Sequence, residues 1–115
     1  MNFDLESRGT VTVVAPRGNV LGGPDGADLH EYLQQQEREG GARRVVVDLS
    51  HVQLMNSSGL GMLVSALTTL RNAGGDLRLA SVSERIQSLF VITRLSSVFK
   101  SFPTVDDAVA SFEGA

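Results

Sequence analysis

The sequence contains no cysteine among its 115 residues. That absence excludes disulfide scaffolds, thiolate zinc sites and cysteine nucleophiles, and it points to a reducing compartment. Positive charge is also scarce. The chain has 10 Lys+Arg against 13 Asp+Glu, a net charge of −3, and Arg43-Arg44 is its one adjacent basic pair. A chain so balanced lacks the field that draws a protein onto phosphate backbones, so no nucleic-acid partner is expected. No apolar run approaches the roughly 20 residues that span a bilayer, which argues against membrane insertion. The start, Met1-Asn2-Phe3-Asp4-Leu5-Glu6, offers neither the basic nor the apolar stretch of a secretion signal. A soluble, cytoplasmic protein is the expectation.

What is present suits one α/β domain over residues 1–115. With 42% hydrophobic and 20% charged residues, a chain of this length buries roughly two thirds of its unfolded surface and needs no metal or disulfide to hold a core. Phe3 to Arg8 alternates apolar and polar residues, and the Val/Thr-rich run Thr10 to Ala15 follows Gly9, which predicts a β-hairpin. Pro16 to Asp25, rich in Gly and Pro, reads as a loop. A first helix opens at Gly23-Pro24, carries Leu29, Tyr32 and Leu33, and ends at Gly40-Gly41. Arg44 to Leu49 is a short β-branched run of the kind buried on both faces of a sheet, and predicts the central strand. After a loop, Leu60, Leu63, Ala66, Leu67 and Leu70 recur every three or four residues until Asn72-Ala73-Gly74-Gly75, which gives the second helix. Asp76 to Ala80 predicts a strand. Ser81-Val82-Ser83-Glu84 has the form of a capping box opening a third helix with Ile86, Leu89 and Phe90 inside. Val98 to Phe102 predicts a last strand. Thr104-Val105-Asp106-Asp107 caps a fourth helix whose apolar side is Ala108, Val109 and Phe112. The order β-β-α-β-α-β-α-β-α implies a mixed sheet of about five strands covered by about four helices.

The informative segment is Asp48-Leu49-Ser50-His51-Val52-Gln53-Leu54-Met55-Asn56-Ser57-Ser58-Gly59-Leu60-Gly61, which leads from the central strand into the second helix. Asn56 or Ser57 can cap that helix, leaving the N–H groups of Ser58, Gly59 and Leu60 to point outward at the positive end of the helix dipole. A small, accessible serine there can carry a phosphate. Residue types alone favour ordinary capping and close helix packing over a phosphate site. Asp48, His51 and Ser57 also raise a hydrolase reading, but no Gly-x-Ser-x-Gly elbow accompanies them. Gly59-Leu60-Gly61 lacks the third glycine and the acidic partner of a dinucleotide fingerprint, and neither a phosphate loop nor a metal-ligand cluster is present. No cofactor and no metal is implied.

Asp48-Leu49-Ser50, Val52 and Met55-Asn56-Ser57-Ser58-Gly59-Leu60-Gly61 resemble the signature of the STAS family, the anti-sigma factor antagonists of bacterial partner-switching pathways. The resemblance extends to the element order and to Asn72-Ala73-Gly74-Gly75. It implies a non-enzymatic module that binds a serine-kinase-type anti-sigma factor, is phosphorylated by it on Ser57, is thereby released, and is reset by a phosphatase. It places the partner-binding residues at Gly22, Gly23, Met55, Asn56, Ser58, Gly59, Leu60 and Met62. Two departures stand out. Asn56 occupies a position where the family usually has aspartate, so the capping oxygen is kept and the charge is lost. Gly18-Asn19-Val20-Leu21-Gly22-Gly23 replaces a common Gly-x-Leu-Asp. A second implied role is a scaffold module without phosphate that holds a transporter ATPase or a signalling complex. A homodimer is left open.

Overall fold

The computed structural model describes residues 3–21, 31 and 44–113. The predicted first helix, with Gly22 and Gly23, lies outside these residues. The hairpin forms as expected. β1 (Phe3–Arg8) pairs antiparallel with β2 (Val11–Pro16) across Gly9, whose φ of 65° supplies the tight turn. β2 then pairs in parallel with β4 (Arg44–Asp48), β4 with β6 (Asp76–Ala80), and β6 with the two-residue β7 (Ser101–Phe102). The resulting five-stranded sheet has the order β1-β2-β4-β6-β7, with β4 at its centre. Its parallel strands are laid down in one direction, so the sheet lacks the reversal of strand order at which doubly wound folds open a ligand crevice.

Three helices are seen among the described residues: α1 (Ser57–Asn72), α2 (Glu84–Ile92) and α3 (Val105–Glu113). Alternation along the strands sorts the core into two layers. Val45, Val47, Leu77 and Leu79 pack with Leu60, Leu63, Leu67 and Leu70 of α1 and with Ile86 and Phe90 of α2. On the opposite face Val11, Val13, Val46 and Ala80 pack with Ala108, Val109 and Phe112 of α3. Val45, Val46 and Val47 are therefore all fully buried, as a central parallel strand requires.

Several expectations are corrected. The segment read as a Gly/Pro loop contains β3 (Gly18–Val20), and the segment read as the loop before the second helix contains β5 (Val52–Met55). The two pair only with each other, as a small parallel sheet. Neither carries an alternating apolar pattern, because each depends on a partner more than 30 positions away. The third helix is capped by Ser83, whose hydroxyl accepts from the Ile86 N–H at 3.3 Å, so Ser81 is not the cap. Ser81 instead sits at φ 58° while its N–H donates to Phe102 O. The last strand is shorter than Val98–Phe102, since Phe99 turns inward to stack on Phe90 with ring centroids 5.7 Å apart.

Candidate functional site

The site is built on the way from β4 to α1. Leaving β4, the Asp48 carboxylate accepts from the Ser50 N–H at 3.0 Å, and Val52 N–H donates to Leu49 O at 3.1 Å, so the chain turns sharply into β5. β5 lies along β3 in the register Gly18 to Val52, Asn19 to Leu54 and Val20 to Met55. Next comes Asn56, extended at φ −112° and ψ 179°, the geometry of an N-cap. Its Oδ1 accepts from the Gly59 N–H at 2.8 Å, and its carbonyl accepts from the Leu60 N–H at 2.9 Å. Asn56 N–H in turn donates to Val20 O at 3.4 Å.

Gly59 explains how tightly this end is held. A Cβ on it would lie 2.0 Å from Val20 O, so the first turn of α1 rests directly on the backbone of β3. Gly61, one step round the helix, has open space where its Cβ would be. Only the first of the two glycines is required by packing.

The expectation of three outward amides at Ser58, Gly59 and Leu60 is thus corrected. Asn56 satisfies the last two, while the N–H groups of Ser57 and Ser58 have no partner among the described residues. Ser57 and Ser58 are both exposed, as is Asn56. The first turn carries no acidic residue, which leaves the dipole's positive end uncompensated by charge.

Of the residues expected to contact a partner, Met55, Leu60 and Met62 are corrected to core positions, 7%, 1% and 8% exposed, and Gly59 is buried against β3. The cause is the helical periodicity itself: the face of α1 that carries Leu60, Leu63 and Leu67 must turn to the sheet. The exposed surface here consists of Asn56, Ser57, Ser58 and Gly61 with two apolar side chains that the sequence reading passed over, Leu21 and Leu54, 40% and 43% exposed. Their exposure follows from the pairing of β3 with β5, which no local pattern signals.

Asp48 and His51 are brought together elsewhere. With Asp4, Glu6, Arg8, Ala15 and Val105 they line a depression of about 280 Å³ in which Ser57 takes no part. The Asp48 carboxylate holds the Ser50 amide, and the His51 carbonyl accepts from the Gly18 N–H at 3.0 Å. Among the described residues no group of His, Asp and Glu side chains has the arrangement to hold a metal ion. None of the described helices is long and apolar enough to cross a membrane.

A singly wound sheet with a serine presented at the N-terminus of the helix that follows β5 defines a class, and a family comparison agrees with it. The STAS domain model matches residues 2–108, and the chain belongs to this family. The chain is 39% identical over 71 residues to the anti-sigma-B factor antagonist of Staphylococcus aureus (strain NCTC 8325 / PS 47), a stretch covering 62% of this chain and 65% of the relative. It therefore spans just under two thirds of the length of that relative. Among solved structures, the unphosphorylated anti-sigma factor antagonist SpoIIAA superposes with a TM-score of 0.84 at 17% identity, covering 99% of this chain and 98% of that one. An anti-sigma factor antagonist from Mycobacterium paratuberculosis gives a TM-score of 0.78 at 23% identity, covering 96% and 92%.

Proposed function

We propose that this chain is a non-enzymatic anti-sigma factor antagonist of the cytoplasm, whose binding to a serine-kinase anti-sigma factor is governed by phosphorylation of Ser57. The observation that carries the reading is an exposed Ser57 hydroxyl at the first position of α1, on a helix end fixed by the Asn56 cap and by Gly59 against Val20. The names of the relatives agree in kind. The Bacillus cell fate determinant SpoIIAA in its phosphorylated form also shares the fold, with a TM-score of 0.75 at 17% identity.

The mechanism follows from electrostatics. Unmodified, the surface of Asn56, Ser57, Ser58, Leu54 and Leu21 docks on the anti-sigma factor. Phosphorylation adds about −1.5 to −2 charges. At the start of a helix that charge meets the dipole and unpaired amides, so the chain itself tolerates it. The partner does not, because a charge buried without a counter-ion must be desolvated or repelled. A penalty of about 3 kcal/mol lowers affinity roughly a hundredfold. A phosphatase restores the binding form.

Ser57→Asp and Ser57→Ala separate the roles. By calorimetry against the serine-kinase anti-sigma factor of the same genome, Ser57→Asp is expected to bind roughly a hundredfold more weakly and Ser57→Ala as wild type. The Asp variant should also melt no lower than wild type, since an acid in the first turn contributes about 0.3–1 kcal/mol. Equal affinities for the two variants would refute the switch. Mass spectrometry of the chain from its own cells should place the phosphate on Ser57. Its absence there, with a transporter ATPase retained instead, would favour the scaffold role.

A further inference from the structure

We propose that the depression at the N-terminal ends of β4 and β6 is a binding site for a phosphate dianion, free or as the end group of a small phosphomonoester. The depression, of about 170 Å³, is lined by Arg44, Gly74, Gly75, Asp76, Arg78 and Phe112. The sheet register brings its two cations together. Arg44 lies beside Asp76, and Val46 beside Arg78. Residues two apart on a strand share a face, so Arg44 and Arg78 are diagonal neighbours on the side of the sheet that α3 covers.

Neither arginine is used up by the protein. Arg78 is only 9% exposed, yet two of its five N–H donors are taken, Nε by Asp76 and one on Nη1 by Ser111 Oγ. The other three have no acceptor among the described residues. Unsatisfied donors on so buried a group are rare in folded proteins and call for an acceptor. Arg44 makes a single hydrogen bond, from Nη1 to Thr10 Oγ1 at 3.4 Å, although Asp76 stands next to it across the ladder. The reason is that the Asp76 carboxylate is already divided between Arg71 and Arg78.

The charge count selects the ligand. Arg44, Arg71 and Arg78 meet one carboxylate, which leaves two positive charges unbalanced in a chain whose net charge is −3. Water can satisfy the spare donors but cannot neutralise the charge, whereas a dianion does both. Guanidinium forks also match the oxygen spacing of a phosphate group. Gly74 and Gly75 bring backbone without side chains to the rim, and a Cβ on Gly74 would meet nothing within 4 Å, so the approach from solvent is open. The Phe112 ring, 4.0 Å from the Arg78 guanidinium, holds that group in place. Gly74 closes the C-terminal end of α1, the opposite end from Ser57, and the site does not depend on the phosphoserine reading.

The test is a titration of the isotope-labelled chain with inorganic phosphate at constant ionic strength and about pH 8, where phosphate is a dianion, followed by amide chemical shifts. The amides of Arg44, Gly74 and Gly75 are expected to shift saturably at roughly millimolar phosphate. Arg44→Gln should weaken binding roughly tenfold or more without lowering the melting temperature measured in chloride, and Arg44→Lys, which keeps the charge and loses the fork, should fall between. Acetate, with half the charge, should bind roughly tenfold more weakly than phosphate. Glycerol phosphate identifies the source: affinity equal to that of inorganic phosphate assigns the site to the free ion, and tighter binding assigns it to a phosphomonoester. Shifts confined to Ser57 and Ser58 would put the anion on the unpaired amides of α1 and overturn the inference. So would the absence of a saturable shift, wild-type affinity in Arg44→Gln, or acetate binding as tightly as phosphate.

Discussion

At the scale of single residues, the two glycines of the first turn of α1 look alike in the sequence and behave oppositely in space. Gly59 lets the helix approach Val20 O so closely that a methyl group would overlap it, and the two nearest atoms, Val20 O and its carbonyl carbon, are backbone that cannot swing aside. Gly59→Ala must push α1 off β3, at a cost of about 3 kcal/mol or more, near the top of the range for overpacking. Gly61→Ala adds a methyl into open space and removes backbone freedom from the unfolded chain, so it should stabilise by about 0.5–1 kcal/mol. Urea unfolding of the pair should move the midpoints in opposite directions; a stable Gly59→Ala protein would disprove the contact with β3. Asn56 shows the same dependence on context. Its Oδ1 caps the helix without bringing a charge, so Asn56→Asp would keep the capping oxygen and change the electrostatics beside Ser57.

At the scale of elements, helix ends and one buried cation do most of the positioning. Beyond Asn72, α1 is closed by the left-handed Gly74, φ 85°, with Gly75 N–H donating to Leu70 O at 2.8 Å, the closure expected from Asn72-Ala73-Gly74-Gly75. α2 closes in the same way on Arg94, and Arg94→Gly should stabilise the chain by about 1 kcal/mol, read as a higher melting temperature. α3 is joined to the sheet by Arg78, the buried charged residue of β6. Its Nε pairs with Asp76 at 3.2 Å, Nη1 donates to Ser111 Oγ at 2.6 Å, and its guanidinium lies 4.0 Å from the Phe112 ring centroid. Asp76 also takes Arg71 of α1 at 3.1 Å, so one carboxylate links helices on both faces of the sheet. Removing the carboxylate leaves Arg78 charged and underpaired, whereas removing the arginine leaves Asp76 still paired to Arg71. Asp76→Ala should therefore cost about 3 kcal/mol and Arg78→Met distinctly less, measured as shifts in urea midpoint at constant slope. The reverse order would show that Arg78 acts by packing rather than by charge.

At the scale of the whole molecule, a net charge of −3 conceals an uneven distribution, since the stretch from Arg85 to Val105 carries Arg85, Arg94 and Lys100 and no acidic residue. The sequence by itself determined the hairpin, the central strand, the helix through Leu60 to Leu70 and the strand Asp76 to Ala80. Their signals are local: alternation, a β-branched run, helical spacing and a Gly-Gly stop. It also located the segment from Asp48 to Gly61 and the serine at the helix start, since caps and small residues announce themselves within a few positions. Only the tertiary structure decided that Met55 turns inward, that Gly59 is fixed by β3, that Ser57 and Ser58 keep the unpaired amides, and that Leu54 and Ile92 remain outside. Each of these depends on which distant segment packs alongside, and pairing between residues as far apart as Gly18 and Val52 leaves no periodic trace in either stretch.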